Sequence, residues 1–92
     1  MNNYTKGEWK VAPTNTGHYN VFCDKGLIAD VFNNIEGCEA NARLIASLPE
    51  LLQCAYIAQA LINSALFFHP DDEVAKIEGK IINKAIAKAE GR

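Results

Sequence analysis

The chain has 92 residues, 49% of them hydrophobic and 22% charged, with a formal net charge of −2. This is the size of a single domain, residues 1–92, and the composition of a globular protein, which excludes a second independent core and a disordered tail. So small a net charge also excludes whole-molecule steering onto nucleic acid or membrane, and a charge mimic of DNA, leaving only local patches to make such contacts.

The first third predicts a sheet, about residues 6–33. Residues 8–12 alternate, with Trp9 and Val11 on one face, and the polar run PTNTG (13–17) has the composition of a turn between antiparallel strands. Residues 18–23 set Tyr19, Val21 and Cys23 on one side and His18, Asn20 and Phe22 on the other. Asp24-Lys25-Gly26 then supplies a tight turn, and residues 27–32 a third strand. Trp9, Tyr19, Phe22 and Phe32 belong to the core face or edge of this meander, although an exposed Trp9 would read as an interface anchor.

A helical part, about residues 36–90, follows and covers the sheet. Asn34 is placed to cap a first helix over residues 36–47, whose face of Ala42, Ile45 and Ala46, with Leu44 and Leu48 nearby, suits packing on strands. Ser47-Leu48-Pro49-Glu50 has the S-x-x-E spacing of a capping box, in which the Ser hydroxyl accepts from the Glu50 amide and the carboxylate returns to the Ser amide. Pro49 fits a first turn, where its missing N–H has no intrahelical partner. The stretch therefore reads as two helices sharply joined rather than one kinked helix.

The second helix, residues 48–68, carries no charge between Glu50 and Asp71. It has the length of a membrane span, but Gln53, Gln59, Asn63 and Ser64 lie around its circumference and favour a buried central helix instead. Three strands and two helices do not cover Leu51, Ile57, Leu61, Phe67 and Phe68 on every side, so self-association or a partner's surface is expected. His69-Pro70-Asp71-Asp72-Glu73 breaks the chain and starts a third helix with carboxylates at its positive end. Val74, Ile77, Ile81 and Ala85, with Ile82, Ile86 and Ala89, make its apolar stripe; Gly79 permits a close helix contact, and Gly91 ends it. The fold class is α+β, a three-stranded antiparallel meander followed by three α-helices.

Little in the sequence points to chemistry. Cys23, Cys38 and Cys54 are odd in number and irregularly spaced, with no basic-then-apolar leader before them, so they read as free thiols in a reducing cytoplasm. No C-x-x-C or H-x-x-x-H pair anchors a metal with His18 or His69, and no Gly-rich phosphate loop occurs. Asp71-Asp72-Glu73 suits capping better than acid–base work, which needs carboxyls in contrasting environments. We therefore expect no catalytic residues, cofactor or metal. Lys76, Lys80, Lys84 and Lys88 drift about 40° per step and share one broad side of the last helix over roughly 18 Å. That stripe could grip a phosphate backbone or an acidic surface, or simply be a solvated face.

KGEWKV (6–11) and EANARLIASLPELLQ (39–53) together resemble a widespread family of small bacteriophage and prophage proteins, with an N-terminal Gly-x-Trp strand and an EANARLIA helix leading into a PELL helix. The resemblance spans about residues 6–53 and leaves the lysine-bearing helix unsupported. It implies expression from a mobile element in the bacterial host cytoplasm, where small proteins often inhibit defence. The leading expectation is an anti-CRISPR-like protein that binds a bacterial defence effector complex, with or without its guide RNA. Asn33, Asn34, Lys76, Lys80, Lys84 and Lys88 are its candidate partner-binding residues. The alternatives are an oligomeric sponge for a cyclic nucleotide defence signal and a structural or regulatory phage accessory protein. A homo-oligomer is compatible with each; a membrane partner is not expected.

Overall fold

The computed structural model describes residues 4–33 and 36–92. Strands β1 (Lys10–Pro13), β2 (Tyr19–Cys23) and β3 (Gly26–Val31) precede helices α1 (Cys38–Ala46), α2 (Leu48–Phe68) and α3 (Glu73–Ala89), the α+β order expected. The described residues form two compact units, 4–49 and 50–92.

In the first unit the strands make an antiparallel meander in the order β1-β2-β3. Val21 lies opposite both Val11 and Ala29, and a bulge beyond it sets Phe22 against Leu27. The alternation sorts the faces as expected. Val21 (0% exposed) and Cys23 turn inward, and α1 lies over the sheet with Cys38 and a fully buried Ala42. At position 42 a methyl group lets the helix backbone approach the strands. The Cys38 thiol donates to the Val31 carbonyl at 3.2 Å, and the Tyr19 hydroxyl to Glu39 Oε1 at 3.2 Å, so the first turn of α1 is tied to the sheet twice. Glu39 also pairs with Arg43 one turn on. On the other side His18 Nδ1 sits 3.8 Å from Asp30 Oδ1, its ring 4.7 Å from that of Phe32.

Three local expectations are corrected. The first strand begins at Lys10 rather than residue 8, because Trp9 belongs to the preceding loop: its indole N–H donates to the Thr5 carbonyl at 3.0 Å, and Tyr4 meets it edge-on. The first helix begins at Cys38, with Gly37 at the N-cap in a left-handed conformation (φ 86°) that glycine adopts without steric cost. The proposed cap Asn34 lies outside the described residues. The capping box at residues 47–50 does not form. The Ser47 amide goes to the Arg43 and Leu44 carbonyls and its hydroxyl to the Arg43 carbonyl at 2.9 Å, so Ser47 closes α1 instead of opening α2. The reading of two helices rather than one stands, with only Ser47 between them.

The second unit is a helical hairpin of α2 and α3. Asp72 caps α3, its side chain accepting from the Ala75 amide at 3.0 Å. At the far end the Gly91 amide bonds the Lys88 carbonyl and the Arg92 amide the Ala87 carbonyl, with Gly91 at φ 79°, which completes a Schellman stop. Ala75, Gly79 and Ile86 are the buried residues of α3. Gly79 is a point of close approach, since a Cβ there would stand 3.1 Å from Ile62 Cγ2. The expected buried central helix is overturned: no residue of α2 is buried. A single neighbouring helix covers one stripe of a cylinder, and α2 is apolar on more than one.

Candidate functional site: the open face of the hairpin

The two flanks of the α2–α3 seam differ in chemistry. Along one, side chains stitch the helices together, with Gln59 Nε2 donating to Asn83 Oδ1 at 2.9 Å and the Tyr56 hydroxyl to the Glu90 carboxylate. Along the other runs an open apolar groove of about 350 Å³ lined by Ala58, Leu61, Ile62, Glu78, Ile81 and Ile82.

Helical geometry explains how α2 serves both seam and groove. Leu52, Ala55, Gln59, Ile62 and Leu66 follow the 3-4 spacing of one face and are half-buried towards α3. Ile57, Leu61 and Phe68 follow the same spacing a little under half a turn away. They stand exposed, Leu61 at 67%. On α3 the exposed Val74, Ile77 and Ile81 continue this surface, Ile81 at 65%. Phe67 and Phe68 pack edge-to-face at 5.2 Å at the end of α2, both largely exposed.

The candidate partner-binding residues are not gathered in one place. Lys76, Lys80, Lys84 and Lys88 are all exposed on α3, Lys76 pairing with Glu73 at 3.3 Å. Asn33 belongs to the other unit, where its side-chain amide donates to the Thr16 carbonyl at 3.4 Å beside Gly17. Asn34 lies outside the described residues. The groove was not anticipated as a site. Its signal was available, because Leu61 and Ile57 already exceeded what the fold could cover, but the exposure of Val74, Ile77 and Ile81 could not be separated from ordinary core packing by periodicity.

The thiols and histidines are dispersed over the fold. Cys23 accepts from the Lys25 amide at 3.3 Å, Cys38 bonds Val31, and Cys54 is exposed on α2. The His69 backbone amide and carbonyl bond Ala65 and Asp72 at the turn between the helices. Among the described residues no group of three or more His, Cys, Asp or Glu side chains is placed to hold a metal ion. By length and composition α2 is one helix able to cross a membrane, 21 residues at a mean hydropathy of 1.5.

The family model of Salmonella phage P22 protein Y8K6 matches residues 1–92, so the likeness extends past residue 53 through the lysine-bearing helix. No curated protein and no solved structure matches the chain.

Proposed function

The chain belongs to the family of Salmonella phage P22 protein Y8K6, a phage protein, and from that premise we propose that it works by binding, without catalysis, in the cytoplasm of an infected bacterium. The finer reading is that its target is a host defence effector, which it inhibits in the manner of anti-CRISPR proteins. One observation carries the binding role: a helix without charge between Glu50 and Asp71 that its own unit leaves without a buried residue. Apolar surface on that scale is the mark of an interaction face. The exposed lysines of α3 lie beside it and suit an acidic surface or a guide-RNA backbone. The cyclic-nucleotide sponge draws no support from the groove. Apart from Glu78 its lining is apolar, whereas a nucleotide calls for basic side chains and an aromatic platform.

The test is to incubate the purified protein with CRISPR surveillance complexes and nucleases and to measure their binding to target DNA. The expected result is loss of target binding at near-stoichiometric protein, weakened when Lys80 and Lys84 are both replaced by Glu. Undiminished target binding across the effector types overturns the inhibitory reading, and inhibition unaffected by the double substitution removes the lysine stripe from the contact.

A further inference from the structure

We propose that the open face of the α2–α3 hairpin is covered by the same face of a second copy of this chain, so that two hairpins close a four-helix bundle. The inference deepens the reading above, since it rests on association as the protein's mode of action and names the occupant of the apolar face.

Area is the first argument. Ile57, Leu61, Phe68, Val74, Ile77 and Ile81 are each between 55% and 71% exposed. They present roughly 700 Å² per chain, and a two-fold pair would bury on the order of 1,400 Å², within the ~1,200–2,000 Å² typical of stable interfaces. A hairpin that leaves this much apolar surface on one side has the form of half a bundle.

Charge is the second. A two-fold contact sets a patch against itself, so any net charge on it becomes self-repulsion. Within the groove only Glu78 is ionisable. Lys76 and Lys80 fall on the far flank of α3, while Lys84 and Lys88 continue the line of Ile77 and Ile81 towards the C-terminus, where their stems can cover apolar surface while the ammonium groups stay wet. Shape agrees with this. The pairs Ile57/Leu61 and Ile77/Ile81 are four-residue ridges, and the depression between the helices can receive such a ridge from another hairpin.

A lipid surface fits less well. Entering a bilayer as a span would take α2 out of its close contact at Gly79 and break the Gln59–Asn83 bond, while α3, with Glu73, Glu78 and the lysines, could not follow it into hydrocarbon.

Sedimentation of the full-length chain over a wide concentration range tests the proposal. The expected result is a reversible dimer whose Kd rises roughly thirtyfold or more on Leu61→Glu or Ile81→Glu, the loss expected at an interface hot spot. Far-UV circular dichroism should stay unchanged because both side chains are exposed. Leu61→Ala, which adds no charge beside Glu78, moves Kd the same way by less, and Asn63→Glu on the opposite flank leaves it unaltered. Cys54, exposed on the same stripe, gives a second readout: its maleimide reaction should slow as dimer forms and recover in Leu61→Glu. A monomer at every concentration, a dimer indifferent to both Glu substitutions, or a monomer that cosediments with phosphatidylcholine vesicles overturns the proposal. The two readings fail separately. Capture of an effector by a strictly monomeric wild-type chain overturns the dimer alone, and a dimer dissolved by Leu61→Glu supports it whether or not an effector is captured.

Discussion

The two units of this small protein solve the burial problem to different degrees. In the sheet unit β2 and α1 each contribute fully buried side chains, Val21 and Ala42, and the first turn of α1 is tied to the strands by Cys38 and Glu39. In the hairpin α3 buries Ala75, Gly79 and Ile86, while α2 buries nothing and keeps a second apolar stripe in the open. A unit that closes on itself needs no partner for its stability. One that stops halfway exposes surface whose burial is worth roughly 25 cal/mol per Å², and that free energy is available for association. In this molecule most of that incentive lies in residues 50–92, although Leu27, Phe32 and Leu44 of the sheet unit are exposed as well.

The comparison is tested most severely by two substitutions on one helix. Ile86 is 2% exposed and Ile81 is on the open face. Ile86→Ala should cost about 2–4 kcal/mol through lost burial and the cavity left behind. Ile81→Ala, measured at concentrations where the chain is monomeric, should change stability by no more than about 0.5 kcal/mol. Urea denaturation of both variants decides the matter. Equal losses would mean that Ile81 is already covered within one chain, and the contrast between seam and open face would collapse.

A smaller effect is expected at Gly79. A Cβ at this position would press on Ile62 Cγ2 at 3.1 Å, so a β-branched side chain must push the helices apart. Gly79→Val should destabilise the hairpin by about 1–3 kcal/mol, the usual cost of overpacking a tight contact. The higher helix propensity of valine offsets only a few tenths of that figure. If Gly79→Val leaves the urea midpoint unchanged, the seam is looser than the close approach implies, and α2 has still less holding it within its own unit.

The elements that could be read from the residues are those specified by local chemistry. The meander follows from alternation and two glycine-bearing turns, and α2 spans residues 48–68 as its apolar run required. The joint at Ser47 was legible from Pro49, and the close contact from an otherwise unfavourable Gly79. What failed depended on competition between neighbours. The S-x-x-E spacing at Ser47 does not say which helix claims the amide, and α1 does. Burial of α2 failed for a different reason. Hydrophobicity measures how much cover a helix requires, and only tertiary structure determines whether its own chain supplies it. The same gap hid the groove, whose α3 wall has the periodicity of a core stripe and the exposure of a surface.

The finest distinction between the units concerns pH. Each has a tyrosine–glutamate hydrogen bond. In the sheet unit the hydrogen bond from Tyr19 to Glu39, reinforced by the carboxylate's charge, raises the phenol above its ordinary 10.0. The folded state favours the protonated phenol, so the stability it adds is complete below pH 10.0 and is lost as pH rises through the elevated value. In the hairpin the hydrogen bond from Tyr56 holds the Glu90 carboxyl below its ordinary 4.5, with Arg92 adding to the effect. That contribution is complete above pH 4.5 and is lost as pH falls through the lowered value. Alkali should therefore loosen the α1–sheet contact first and acid the end of the hairpin. Carboxyl-detected NMR titration of Glu90 should show its pKa returning towards the ordinary value in Tyr56→Phe, while Tyr19→Phe leaves it in place. A Glu90 titration indifferent to Tyr56→Phe would show that Arg92 alone sustains the shift and that the hairpin has no clasp at that end.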